Sequence, residues 1–316
     1  MCSNNVAILE ARYILEYEMG HGATSKVYKA KDSLSDKDYA VKIFEKHSEI
    51  FDREVLINKK ISESGGQSQF FIKYISSSLN ATLDIDGFKE SKCYILYELA
   101  SKGDLLNYIT KYGIGLDEKN CKVINYKFLK ALQALHEIGI SHREIKADNI
   151  LLSGERFDIK IGDFGFSGFI NGIDEKNLKK ERIGTPQYMA PEIIAKKEYD
   201  GKKVDIFSTG VLLFTLLTCK MPFPKIKKGD KIKQLYKYIK DKDEEKYWEV
   251  LKENKIDGLS PEFKDLFLKM VAYEPSERPS IKEILNHAWM KDVTNLNEEE
   301  YKKYEEDLIT ELKKRE

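Results

Sequence analysis

His142-Arg143-Glu144-Ile145-Lys146-Ala147-Asp148-Asn149 runs directly into Ile150-Leu151-Leu152. After a turn at Ser153-Gly154 come Asp158-Ile159-Lys160-Ile161-Gly162 and then Asp163-Phe164-Gly165. The apolar runs read as the two strands of a buried hairpin. A dense cluster of acids, bases and an amide beside such a hairpin is costly unless each polar group finds a partner. Metal ions and phosphates are partners of the right kind.

Working outward, residues 13–44 and 71–99 are rich in β-branched and aromatic residues broken by Gly, Asp and Ser, and read as strands and hairpins. Between them, residues 47–61 carry Val55, Leu56 and Ile61 among charges and read as one helix. From Leu105 the period changes. Val123, Ile124, Phe128, Leu132, Leu135 and Ile138 fit a helix of about five turns. Further helices are predicted at 204–218, 261–272 and 280–288. A β-rich front followed by an α-rich back gives an α+β chain of two lobes. The segment Asp84-Ile85-Asp86-Gly87-Phe88-Lys89-Glu90 hints at a calcium loop, but Gly87 at its sixth position puts Cys93 at the twelfth, where a bidentate Glu is needed. A hairpin turn is the better reading.

At the front, Gly20-His21-Gly22-Ala23-Thr24-Ser25-Lys26-Val27 sits between two strand-like runs. Glycines there let backbone N–H groups approach phosphates. Taken alone, such a stretch only makes a turn. Lys42 ends Tyr39-Ala40-Val41-Lys42 on a predicted strand, and Glu54, twelve residues later, lies on the predicted helix within its reach. Taken alone, these are an edge lysine and a solvated glutamate.

The 316 residues suit two lobes or one large domain, with 41% apolar and 34% charged residues. Lys plus Arg and Asp plus Glu number 53 each, so no global charge draws the chain to nucleic acid or anionic membrane. Cys2, Cys93, Cys121 and Cys219 are scattered and read as reduced thiols. The opening residues lack a signal-peptide pattern, and Cys at position 2 excludes myristoylation. A cytoplasmic location is the expectation. The apolar stretch Ile206 to Leu217 is too short to span a bilayer and reads as a core helix.

Further along come Gly184-Thr185-Pro186, Met189-Ala190-Pro191-Glu192, Asp205 and Glu277-Arg278-Pro279. In this order the motifs resemble the eukaryotic protein kinases of serine/threonine type, over about residues 13–290. The resemblance implies a bilobal protein-kinase fold. A small antiparallel β N-lobe with one main helix covers 13–99, a larger and mainly α-helical C-lobe covers 100–290, and a charged helical tail covers 291–316. It also implies ATP and Mg2+ as cofactors and protein Ser/Thr acceptors as substrates. Gly20, His21, Gly22, Ala23, Thr24 and Ser25 should cover the phosphates, and Val27 should roof the adenine. Ala40 and Leu151 join the nucleotide pocket, with Tyr97 as a bulky gatekeeper. Glu98 and Ala100 present the hinge backbone, and Asp104 reaches the ribose. Lys42 should contact the α- and β-phosphates and pair with Glu54. Asn149 and Asp163 should hold magnesium, and Lys146 should approach the transferred phosphate beside Thr185. Glu192 and Arg278 are expected to form a structural ion pair, and His142 and Asp205 to be architectural. Gly-Ala-Thr-Ser in the loop and His287-Ala288-Trp289-Met290 resemble the calcium/calmodulin-dependent kinase group most.

The chain departs from the family at Ser25, which replaces the third loop glycine, at Asn58, where the family is apolar, and at Glu144, where it places an aspartate. Asn58 either loosens the active arrangement or finds a hydrogen bond. Glu144 leaves two readings: a kinase with a longer or impaired catalytic acid, and a kinase-fold scaffold that binds nucleotide or partners without efficient transfer. Asp104 and Asp148 are placed to favour Arg in a substrate peptide, with Thr215 standing where relatives have a third acid; the alternative is that Asp104 serves only the ribose. In related kinases a phosphorylated residue near the position of Glu181 pairs with the arginine before the catalytic acid. Glu181 is therefore either a fixed charge for Arg143 or simply an exposed acid. Tyr301, Tyr304, Leu308 and Leu312 form one apolar stripe, on a helix that either packs on the C-lobe or blocks the substrate groove. The sequence leaves the oligomeric state open.

Overall fold

The computed structural model describes residues 7–111, 113–170, 184–223 and 231–316. Six strands open the chain: β1 (Ala7–Leu9), β2 (Tyr13–His21), β3 (Ser25–Asp32), β4 (Asp38–Phe44), β5 (Tyr74–Ile85) and β6 (Phe88–Glu98). They pair antiparallel in the order β1-β2-β3-β4-β6-β5, and β1 pairs with β5 to close the sheet. The β5–β6 hairpin turns on Asp86 and Gly87, with φ 52° and 90°, between the paired residues Ile85 and Phe88. Positive φ at both central residues is what a tight two-residue hairpin turn needs. The stretch at 84–90 is thus a turn, as expected.

Alternation divides the sheet's side chains between two cores. Ala30, Val41, Tyr94 and Leu96 pack on the closed side with Leu9 of β1. Val27 faces Lys42, Lys42 faces Ile95 and Ala40 faces Tyr97, so these five share the opposite face. That face looks toward the main core, which holds Ile95 and Tyr97.

Helix α1 (Glu49–Ser62) crosses between β4 and β5. Ser48 caps its N-terminus by accepting from the Phe51 N–H, Glu49 and Asp52 lie in its first turn, and Lys59 and Lys60 lie in its last. Its buried residues are Phe51, Glu54, Ile57, Asn58 and Ile61. Glu54 and Asn58 therefore stand on the apolar face and need partners there.

The second lobe is helical: α2 (Leu105–Thr110), α3 (Glu118–Glu137), α4 (Pro191–Ile194), α5 (Gly201–Thr218), α6 (Lys231–Lys240), α7 (Glu244–Glu253), α8 (Pro261–Met270), α9 (Ile281–Leu285), α10 (Lys291–Thr294) and α11 (Glu298–Arg315). Short strands β7 (Ile140–Ser141), β8 (Ile150–Ser153), β9 (Asp158–Ile161) and β10 (Gly168–Phe169) carry the loops between α3 and α4. The front is thus a small antiparallel β lobe with one main helix, and the back a larger helical lobe, as the resemblance implied. Every residue of α5 from Val204 to Leu216 is buried, which makes it the centre of the lobe. Its internal hydroxyls are paired: Ser208 donates to the Tyr188 carbonyl, Thr209 to that of Asp205 and Thr215 to that of Val211. No described helix is long and apolar enough to cross a membrane.

The tail helix α11 lies along α3. Leu308 and Leu312 are 2% and 1% exposed, and Tyr301 packs against Tyr126. Arg315 donates to the carbonyls of Tyr108, Ile114 and Gly115, while Glu316 pairs with Lys102 at 2.8 Å. The partners of α11 lie on α3, in the α2 region and at Arg156 in the β8–β9 turn, which pairs with Glu305; none of these is Glu144, Lys146 or Thr185. Leu312→Ala is therefore expected to cost about 2–5 kcal/mol of stability, through lost burial and the cavity left behind. Urea unfolding measures this. Truncation after Lys291 should lower the unfolding midpoint without raising activity. A large rise in activity on truncation would make the tail an inhibitory segment instead.

Candidate active site

Lys42 on β4 and Glu54 on α1 meet in the cleft. The Lys42 ammonium lies 2.8 Å from both Glu54 oxygens and 2.8 Å from Asp163 Oδ1, so its three hydrogens face three oxygens. Burial disfavours the charge on Lys42, but the carboxylates of Asp163 and Glu54 outweigh it and hold its pKa above the ordinary value. Burial raises the Glu54 carboxyl, against the pull of Lys42. Burial would also raise Asp163, yet Lys42 prevails and lowers it to about 2. Asp163 stays ionised at neutral pH.

Local chain geometry aims these groups. Asp163 has φ 57°, in the left-handed region that Asp tolerates better than most residues. Phe164 is fully buried against Phe71 and His142. A Cβ at Gly165 would sit 3.2 Å from Glu54 Oε2 and 3.4 Å from Asp163 Oδ1, which crowds both carboxylates.

The loop from His142 to Asn149 is tied from beneath. Asp205 of α5, fully buried, accepts the backbone N–H groups of His142 at 2.8 Å and Arg143 at 2.7 Å, and bonds the His136 ring at 2.8 Å. The Glu144 N–H donates to His142 Nδ1, which leaves Nε2 to donate to the Gly162 carbonyl. Asn149 donates its amide to the Glu144 carbonyl at 2.9 Å, leaving its own amide oxygen as an acceptor. Glu144 is 7% exposed. Its Oε1 accepts from Thr185 Oγ1 at 3.1 Å and from Lys146 Nζ at 3.3 Å. The hydroxyl and ammonium are themselves 3.4 Å apart.

The arrangement thus groups Lys42, Glu54 and Asp163 in one cluster and Glu144, Lys146, Thr185 and Asn149 in another. Asp163 offers a charged oxygen in the first cluster and Asn149 a neutral one in the second. Hard oxygens in small number suit magnesium, which is usually held by one or two carboxylates plus phosphates and waters. Among the described residues no cluster of three His, Cys, Asp or Glu forms a fuller cage.

Around the clusters, the glycine-containing hairpin closes when the Gly22 N–H donates to the Ser25 carbonyl at 2.8 Å. Ser25 is 7% exposed, so the small hydroxyl fits where a glycine was expected. His21, by contrast, points to Glu18 and is exposed. Glu98 spends its N–H on the Lys73 carbonyl and its carboxylate on the Lys73 N–H and Lys160. Ala100 is buried in the main core, and Leu151 on β8 bridges to Asp104. Asp104 caps α2 by accepting from both the backbone and side-chain nitrogens of Asn107, a role its sequence reading missed although Asp before a helix is the usual signal. Arg278 and Glu192 make a bidentate pair at 2.6 and 2.7 Å deep in the C-lobe. Arg143 lies so close over Gly168 that a Cβ there would come within 1.2 Å of its guanidinium. Glu181, read as either a fixed charge for Arg143 or an exposed acid, lies outside the described residues, with the rest of Lys179-Lys180-Glu181-Arg182.

Asn58 finds the hydrogen bond that was one of its two expected outcomes. Its Nδ2 donates to the Glu54 carbonyl at 2.8 Å and to the Tyr97 hydroxyl at 2.9 Å. Tyr97 in turn donates to Glu54 Oε1 at 2.9 Å. The sequence held a clue, because Glu54 and Asn58 at i and i+4 share a helix face.

The model described as protein kinase domain matches residues 13–290. The chain is 29% identical to CBL-interacting protein kinase 11 of Oryza sativa subsp. japonica over 300 residues, covering 92% of this chain and 54% of that protein. It is 31% identical to CBL-interacting serine/threonine-protein kinase 7 of Arabidopsis thaliana, covering 90% of this chain and 61% of the relative. It is 29% identical to testis-specific serine/threonine-protein kinase 5 of Mus musculus, covering 92% and 76%. The chain thus spans about half to two thirds of the two plant relatives.

Proposed function

From the premise that the chain belongs to the protein-kinase family, we propose that it is a serine/threonine kinase that transfers the γ-phosphoryl group of ATP to protein hydroxyls. The observation that supports this most is the three-way contact of Lys42 with Glu54 and Asp163. It pre-arranges a cation for phosphates and an ionised carboxylate for a metal in one cleft. Asp163 and Asn149 would hold magnesium, whose charge would neutralise that of the phosphates. Lys42 steadies the α- and β-phosphates, and Gly20 and Gly22 let the hairpin close over them. Glu144 orients the acceptor hydroxyl and takes its proton as the oxygen bonds to phosphorus and ADP leaves. Lys146 offsets the charge on the transferred group. Positioning and charge stabilisation carry most of such a reaction. The substrates are Ser/Thr proteins, and we place the chain in the cytoplasm.

One observation favours the scaffold reading: the acid is Glu144, and its Oε1 is already shared by Thr185 and Lys146. The readings separate in a pair of measurements on the chain. Mg-ATP should raise the melting temperature, and radiolabelled phosphate should pass from ATP to a serine peptide. Stabilisation without transfer would support the scaffold. Absence of both would remove the nucleotide site.

A further inference from the structure

We propose that Tyr97 and Asn58 form a hydroxyl–amide clasp that positions Glu54, and through Glu54 the phosphate-binding ammonium of Lys42. The inference rests on the kinase reading of Lys42. Glu54 and Asn58 are 0% and 1% exposed on the inner face of α1, and Tyr97 is 7% exposed on the facing strand β6. The clasp has only one polarity. Asn58 commits one amide hydrogen to the carbonyl of Glu54, four residues back, which fixes its side chain along the helix. It gives the other to the Tyr97 oxygen. Having accepted there, Tyr97 has a single hydrogen, and that goes to Glu54 Oε1. Burial first and the Glu54 charge second hold the Tyr97 phenol well above its ordinary pKa, so this hydrogen stays in place.

The consequence concerns movement of α1. At these two positions apolar side chains would lose only dispersion contacts if the helix swung outward. Here an outward swing strips hydrogen bonds from an amide, a phenol and a carboxylate whose residues are all buried. A hydrogen bond to a charged group is worth about a tenfold change in population or more. Lys42 also pairs with Asp163, so it is not bound to Glu54 alone, and the clasp adds a second tie between α1 and β6.

Tyr97→Phe tests this, because it keeps the ring and removes the hydroxyl. In the ligand-free chain, amides of α1 should exchange hydrogen faster than in the unaltered protein. Mg-ATP should bind about tenfold more weakly by calorimetry, while adenosine, which has no phosphate for Lys42 to meet, should bind as before. Asn58→Leu, which leaves the phenol in place, should shift both readings in the same direction by less. Unchanged α1 exchange in Tyr97→Phe would overturn the clasp, and so would an equal loss of adenosine and Mg-ATP, since the hydroxyl would then only shape the pocket. If the unaltered chain binds neither ligand, the kinase reading fails, and α1 exchange still decides the clasp.

Discussion

Asp163→Asn is expected to abolish magnesium-dependent stabilisation by ATP, and to cost the ligand-free fold the stability that the Lys42–Asp163 attraction supplies. The choice of asparagine follows from the backbone. Asp163 sits at φ 57°, where alanine would be strained and asparagine is tolerated. Charge is therefore the main thing removed. Lys42 keeps both Glu54 oxygens at 2.8 Å, so the cleft retains its internal ion pair. What disappears is the anionic oxygen that a magnesium ion needs. A ligand at about 100 times its Kd stabilises a protein by about 2.7 kcal/mol. In a chain of this size each kcal/mol is worth roughly 2–4 °C, so a shift on the order of 5–10 °C should vanish. The pH dependence has a definite sign. The folded pKa of Asp163 is lowered to about 2, so its contribution is present above the ordinary carboxylate pKa and fades as pH falls through about 2. Acidification from pH 8 to 6 should leave this carboxylate charged and its part in metal binding intact. A variant whose ATP shift still depends on magnesium would remove Asp163 from the metal site.

Local chemistry made part of this legible beforehand. The Asp86-Gly87 turn and the helix after Ser48 follow from short-range rules, since two positive φ values and an N-cap need only neighbouring residues. The long periodic helices α3 and α5 were legible for the same reason, with ends displaced by a few residues. Strand β1 was not, because three residues are too few to show alternation, and its identity depends on pairing with β2 and β5. The lysine-rich helix α6 and the charged helix α7 were missed too. Their buried residues, such as Ile239, Tyr247 and Leu251, are thinly spread among charges, and the Phe223–Tyr236 stack at 4.3 Å becomes apparent only in three dimensions. In the site, residue types and order indicated Lys42, Glu54, Asn149 and Asp163, and the structure brings Lys42, Glu54 and Asp163 within hydrogen-bonding distance. Asn58 was recognisable as a polar residue in an apolar place. Its partner was not, because the contact to Tyr97 spans 39 positions and depends on strand register.

Glu144→Asp should raise turnover by up to about 100-fold and leave ATP affinity unchanged. The side chain is one methylene longer than aspartate, which moves the carboxylate by roughly 1–1.5 Å if the backbone stays fixed. The backbone has little freedom to retreat. Asp205 holds the N–H groups of His142 and Arg143, and Asn149 holds the carbonyl of Glu144 itself. The extra length is therefore carried by the side chain, which reaches Thr185 and Lys146 with the same oxygen. A reacting group misplaced by about 1 Å can cost on the order of 100-fold in rate. Asn149 is held through the Glu144 backbone carbonyl, which the substitution keeps, and Lys42 and Asp163 touch none of these groups, so binding of the metal and of the α- and β-phosphates should not change. Steady-state phosphate transfer by the two proteins, with ATP affinity measured separately, decides the matter. A gain in turnover at constant affinity would mark the longer acid as the impairment. Equal or lower turnover in Glu144→Asp would mean that Thr185 and Lys146 hold the glutamate where the hydroxyl needs it, and that Glu144 is the working base.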